Sequence, residues 1–117
     1  MVLKYSSLSM IIWFATSDER KKDNIKNIEF NDFNKAKNVM PKSFTFKEDE
    51  THTKVYGAIA QEIESVGLSE LVHTDENGYK SVDYTSLLML KIAYLESYCD
   101  TLNLRITELE SKINNNN

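Results

Sequence analysis

Residues 83–113 read DYTSLLMLKIAYLESYCDTLNLRITELESKI, and this stretch decides the architecture. Leucines fall at Leu88, Leu95, Leu102 and Leu109; between them fall Ile92, Cys99, Ile106 and Ile113. The spacing alternates four and three without a break, the heptad pattern of a coiled coil with Leu at d and mostly Ile at a. It predicts one helix over about 84–113, opened by Asp83, whose carboxylate can accept from the free amide hydrogens of the first turn. In a parallel coil a g residue meets the e residue five places on in the neighbouring chain, which pairs Lys91 with Glu96 and Arg105 with Glu110, both of opposite sign. Exposed pairs of this kind contribute a few tenths to about 1 kcal/mol each. The alternative is an amphipathic helix packed on its own domain, a role open to the early part, 84–95. Leaving Leu102, Ile106, Leu109 and Ile113 in water forgoes about 1.5–3 kcal/mol per side chain, so self-association is the expectation. The heptads alone lean towards two strands, since Ile at a with Leu at d favours dimers. The Asn run at 114–117 is a polar end.

Upstream of this helix the chain alternates short elements. Leu71-Val72-His73 and Tyr79-Lys80-Ser81-Val82 read as strands joined by a turn whose Asn77-Gly78 pair is a strong hairpin signal. Lys54 to Ile59 reads as a strand running into a short helix over 61–66, with Gly67 as its C-terminal stop. Ser43-Phe44-Thr45-Phe46 alternates and reads as a strand, and Lys47 to Thr53 as a loop. Before Pro41, a short helix is expected with Asn31 or Asp32 as N-cap and Phe33, Ala36, Val39 and Met40 on one face. Residues 1–16 carry no acidic residue and end in Met10-Ile11-Ile12-Trp13-Phe14-Ala15, a run that reads as a buried or partner-covered strand. Two readings of it stand side by side: the tail of a longer upstream protein, or the first strand of this domain.

The 117 residues suit one small domain. A net charge of −4 lowers the prior for nucleic-acid binding, and the basic cluster Arg20-Lys21-Lys22 is flanked by Asp18, Glu19 and Asp23, as in a solvated charged turn. Six apolar residues in a row are too few to span a bilayer, so no membrane role is expected. One cysteine, Cys99, can form no internal disulfide, and His52 and His73 have no carboxylate at ligand spacing on a shared face, so no metal is expected. With three glycines there is no phosphate-binding loop, and no cofactor is expected. Asp75 and Glu76 fall in the hairpin turn and should face water. The remaining constellation is Ser17-Asp18-Glu19-Arg20-Lys21-Lys22. Serine needs a base to become a nucleophile, and a lysine amine is the one at hand. An amine with a pKa of about 10.4 costs about 4.6 kcal/mol to neutralise at pH 7, which burial or a neighbouring cation such as Arg20 can reduce. By residue type alone the same hexapeptide also reads as a turn or helix cap.

Five blocks in order give the chain a family resemblance. They are Ser17-Asp18-x-Arg20-x-Lys22; Met40-Pro41-Lys42-Ser43-Phe44-Thr45-Phe46; Gly57-Ala58-Ile59-Ala60-Gln61-Glu62-Ile63; Ser69-Glu70-Leu71-Val72; and Gly78-Tyr79-Lys80-Ser81-Val82-Asp83-Tyr84-Thr85-Ser86-Leu87. In this order the chain resembles the self-cleaving C-terminal intramolecular chaperone domains of phage endosialidases, tail spikes, tail fibres and neck appendages. Ser69 stands where the family usually has proline, and the upstream segment matches no shared motif.

The resemblance implies an α+β fold: a small mixed domain of short strands and helices, followed by a long C-terminal helix that forms a parallel trimeric coiled coil. Residues 1–16 would be the end of an upstream spike or fibre, and 17–117 the chaperone. It implies a homotrimer working on the β-rich upstream region of its own chain in the host cytoplasm, with the released domain absent from the mature virion. It further implies autoproteolysis at Thr16–Ser17, with Ser17 as nucleophile, Lys22 as base, and Asp18 and Arg20 as supporting residues that either position the dyad or ease the loss of the lysine proton. On the resemblance, the seam Leu88, Ile92, Leu95, Cys99, Leu102, Ile106, Leu109 and Ile113 joins three chains rather than the two its heptads favour. The alternative function is a trimerisation module that does not cut.

Overall fold

A computed structural model describes residues 14–116. The expected upstream segment therefore lies almost wholly outside the described residues. Within them the order is a 3-10 turn at Glu19–Lys21, helix α1 (Phe30–Ala36), strands β1 (Lys42–Phe44) and β2 (Val55–Gly57), helix α2 (Ala60–Ser65), a second 3-10 turn (Ser69–Leu71), strands β3 (Val72–Thr74) and β4 (Lys80–Val82), and the long helix α3 (Tyr84–Asn115). It is a small mixed domain of short strands and helices with a long C-terminal helix. The strands make two separate antiparallel pairs, β1 with β2 through Ser43 opposite Tyr56, and β3 with β4 through His73 opposite Ser81.

The local stops follow from residue chemistry. Gly67 takes φ +90°, so α2 closes with Gly67 N–H on the Glu64 carbonyl at 3.0 Å and Leu68 N–H on the Ile63 carbonyl at 3.2 Å. This pair of bonds satisfies carbonyls that the helix end leaves free and turns Leu68 inward, where it is fully buried. In the β3–β4 turn the Asp75 carboxylate accepts from the amides of Asn77 and Tyr79, both at 2.9 Å. Asp83 caps α3 by accepting from Ser86 N–H at 3.1 Å and Ser86 Oγ–H at 2.7 Å. Its own amide donates to the Leu71 carbonyl at 2.8 Å, which ties the helix start to the second 3-10 turn.

The core is one cluster: Ala36 and Val39 from α1 and its exit, Ala58 after β2, Ile63 and Leu68 around α2, Leu71 from the second 3-10 turn, and Leu87 at the start of α3. Burying side chains such as Ile63, Leu68 and Val39 contributes about 1.5–3 kcal/mol each. Ion pairs pin both hairpins to α2, Lys42 to Glu62 at 3.2 Å and the part-buried Lys80 to Glu64 at 3.1 Å.

The structure shifts some expected elements. α1 begins after Glu29, which makes no side-chain cap bond, rather than at Asn31 or Asp32. It also ends at Ala36, so Val39 reaches the core from beyond the helix while Met40 stays exposed. Leu71 belongs to a 3-10 turn, and its strand starts one residue later.

Candidate functional site

The signature segment folds on itself locally. Asp18 is the N-cap of the first 3-10 turn: its Oδ1 accepts from Arg20 N–H at 2.9 Å. The Arg20 side chain returns to the same carboxylate, with Nε 3.1 Å from Oδ1 and Nη2 2.7 Å from Oδ2. Backbone bonds from Lys21 to the Asp18 carbonyl (3.0 Å) and from Lys22 to the Glu19 carbonyl (3.1 Å) complete the turn. Lys22 then reaches back across five residues, and its Nζ donates to Ser17 Oγ at 2.8 Å. Asn24, at φ +56°, redirects the chain immediately afterwards. The guanidinium of Arg20, and then its backbone amide, hold the Asp18 carboxyl below the usual carboxylate range.

Sequence reasoning left Asp18 and Arg20 with two possible roles. In the structure the Arg20 guanidinium is paired with the Asp18 carboxylate inside the turn that leads to Lys22. A nucleophile and an amine at 2.8 Å are within proton-transfer reach. Ser17, Lys22 and Thr16 are all exposed in the single chain. The described residues leave the pair open to water.

Along α3 the domain and the heptad stripe use different faces. Leu87 is buried, Leu90 packs against the same core cluster, and Lys91, Ala93, Tyr94 and Ser97 are half-buried. The stripe residues Leu88, Ile92, Leu95, Leu102, Ile106, Leu109 and Ile113 stay between 37% and 62% exposed, and Cys99 is exposed with them. The early part of the helix thus does pack on its own domain, but with side chains other than those of the heptad. The open stripe runs from Leu88 to Ile113, about 38 Å at the helical rise. Lys91 differs from expectation in one respect: its Nζ donates to the Ala36 carbonyl at 3.1 Å, at the end of α1. Burial pulls its pKa below that of an ordinary lysine.

One arrangement was missed in the sequence. The Tyr84 hydroxyl, at the first turn of α3, accepts from Ala58 N–H at 3.1 Å and lies 3.2 Å from the Ala58 carbonyl, to which it donates. Gly57 makes room for it, since a Cβ there would run into the hydroxyl. The signal was present as Gly57-Ala58 in one block and Tyr84 in another, but nothing in spacing links residues so far apart. His52 and His73 are exposed and separate, and no metal-ligating cluster occurs among the described residues. No helix among them is long and apolar enough to cross a membrane.

Comparison with known families places the segment that opens on this turn. Residues 17–73 match the family model for peptidase S74, described as chaperone of endosialidase. That match supports the intramolecular chaperone domain family, a class of chaperone with a peptidase activity carried in the family's name. The match starts on the candidate nucleophile and stops within β3, so the Gly78–Leu87 block and α3 lie beyond it. No curated protein matched the chain.

Proposed function

We propose that this domain is a self-processing intramolecular chaperone that joins three copies of a phage tail spike, fibre or appendage and then severs itself at Thr16–Ser17. The single observation that carries the chemistry is the 2.8 Å separation of Lys22 Nζ and Ser17 Oγ, fixed by the Asp18–Arg20 clamp. Lys22, as a neutral amine, takes the proton of Ser17. The Ser17 oxygen attacks the Thr16 carbonyl carbon and an ester forms. The C–N bond breaks, and the nitrogen of Ser17 gains a proton and becomes a new N-terminus. Water then hydrolyses the ester and frees the Thr16 carboxylate.

An amine in water resists losing its proton, so the reaction waits for neighbouring chains to cover the turn. The open stripe on α3 supports such an assembly. Tying three C-termini together raises effective concentration and sets register for slow, non-local β-structure. Cutting afterwards leaves the product held kinetically. These steps belong to the host cytoplasm during virion assembly, and the freed domain stays out of the mature particle. A permanent trimerisation module shares everything but the chemistry, and the water-facing dyad of the single chain fits that reading too.

Mass spectrometry of a longer chain carrying its β-rich upstream region separates the two. The expected result is a fragment beginning at Ser17 that Ser17→Ala and Lys22→Ala both abolish. An intact chain in fully assembled material overturns the cutting reading.

A further inference from the structure

Beside the first exposed leucine of the stripe, the domain leaves a hollow of about 340 Å³ between β2 and α3. Pro41, Tyr56 and Gly57 form one side, and Tyr84, Leu88 and Lys91 the other. Its lining is largely apolar, and Tyr56 and Leu88 at its edge are 79% and 56% exposed. The one cation there, Lys91, is part-buried. It has a carbonyl partner, but among the described residues no carboxylate lies within ion-pair distance of it.

The heptad register says what a second copy would bring to this place. With Leu88 at d, Tyr84 and Lys91 are g positions and Met89 and Glu96 are e positions. In a parallel coil Tyr84 meets the neighbour's Met89, and Lys91 meets the neighbour's Glu96. Met89 is 53% exposed and flexible enough to follow an irregular hollow. Glu96 is exposed, and it is the acidic group the half-buried ammonium lacks. Hole and knob sit on opposite flanks of the same helix, so the contact runs head to tail and closes as a ring.

We propose that the globular heads of neighbouring copies interlock: Met89 of one copy fills the hollow between β2 and α3 of the next, and its Glu96 carboxylate pairs with Lys91 there. This rests on the self-association reading above and adds a head-to-head contact to the coil. The apolar fill and the opposite charges fall on consecutive g–e steps, so one register satisfies both.

The test uses the full chain with Cys99→Ser, carrying either Tyr56→Cys or Met89→Cys. The two variants are refolded separately and together, then treated with a short bifunctional maleimide, with assembly followed by sedimentation. The mixture should give at least tenfold more covalent dimer than either variant alone. Met89→Glu should raise the concentration needed for assembly at least tenfold, while Met89→Leu should leave it within about twofold. An assembled mixture without the additional cross-link overturns the interlock and leaves the coil intact. So does Met89→Glu assembling as readily as the parent. A chain that stays monomeric throughout overturns the interlock together with the self-association it rests on.

Discussion

Gly57→Ala and Tyr84→Phe should each destabilise the domain, and together cost far less than their sum. The Tyr84 hydroxyl is both donor and acceptor for Ala58, a residue only 9% exposed. Removing that hydroxyl leaves a buried amide and carbonyl without their partner, a loss of about 1–3 kcal/mol. An added Cβ at Gly57 would meet the hydroxyl, with ring carbon Cζ at 3.0 Å and Phe44 Cε1 at 3.4 Å. The ring must swing away, so the same hydrogen bonds are lost and overpacking adds about 1–3 kcal/mol. A gain of about 0.4–1 kcal/mol from a stiffer unfolded chain offsets part of this, leaving about 2–4 kcal/mol. With the hydroxyl already gone in the double variant, the Cβ meets a neighbour that needs to give by only a few tenths of an ångström. The double variant should then sit within about 1 kcal/mol of Tyr84→Phe, a coupling of about 2 kcal/mol. Urea unfolding followed by circular dichroism measures it, at one protein concentration because assembly adds to apparent stability by mass action. Losses that add within about 0.5 kcal/mol would refute the lock.

Three further outcomes are expected. Asp83→Ala removes the cap of α3 and should cost about 1 kcal/mol in the same unfolding assay, with Asp83→Asn retaining most of it. Leu102→Glu with Ile106→Glu changes two exposed side chains, so sedimentation should show monomers while the domain's thermal midpoint in dilute solution is unchanged. Asp18 is held below the usual carboxylate range by Arg20, so the clamp is complete above that range and released as pH falls through the lowered value. An NMR titration of the Asp18 carboxyl should therefore show a depressed midpoint that Arg20→Ala restores, and a midpoint indifferent to Arg20 would remove it from the clamp.

How much of this was legible beforehand varied with the range of the interactions. The long helix, its Asp83 cap, the Gly67 stop and the Asn77-Gly78 hairpin are set by residues within a few places of one another, and spacing reveals them. The pairing of β1 with β2 was not legible, because it closes over a loop of polar residues with no periodic mark. The helix face split was half legible: the heptad stripe could be read, but which other residues of α3 met the domain depended on where α1 came to lie. At the candidate site the residue types were visible and their arrangement was not. The reach of Lys22 over Ser17 depends on a 3-10 turn whose sequence also suits an ordinary charged loop. The Tyr84 lock joins residues 26 positions apart, which only the tertiary fold brings together.

The clamp has a consequence for what happens after any break at Thr16–Ser17. Asp18, Arg20, Lys22 and the Ser17 hydroxyl all lie on the C-terminal side of that bond, and so does the whole buried cluster. Among the described residues severance removes no buried contact and no member of the turn, so for them departure needs no melting. The detached piece should persist in solution as a well-ordered species with the same hydrogen-exchange pattern it had while attached.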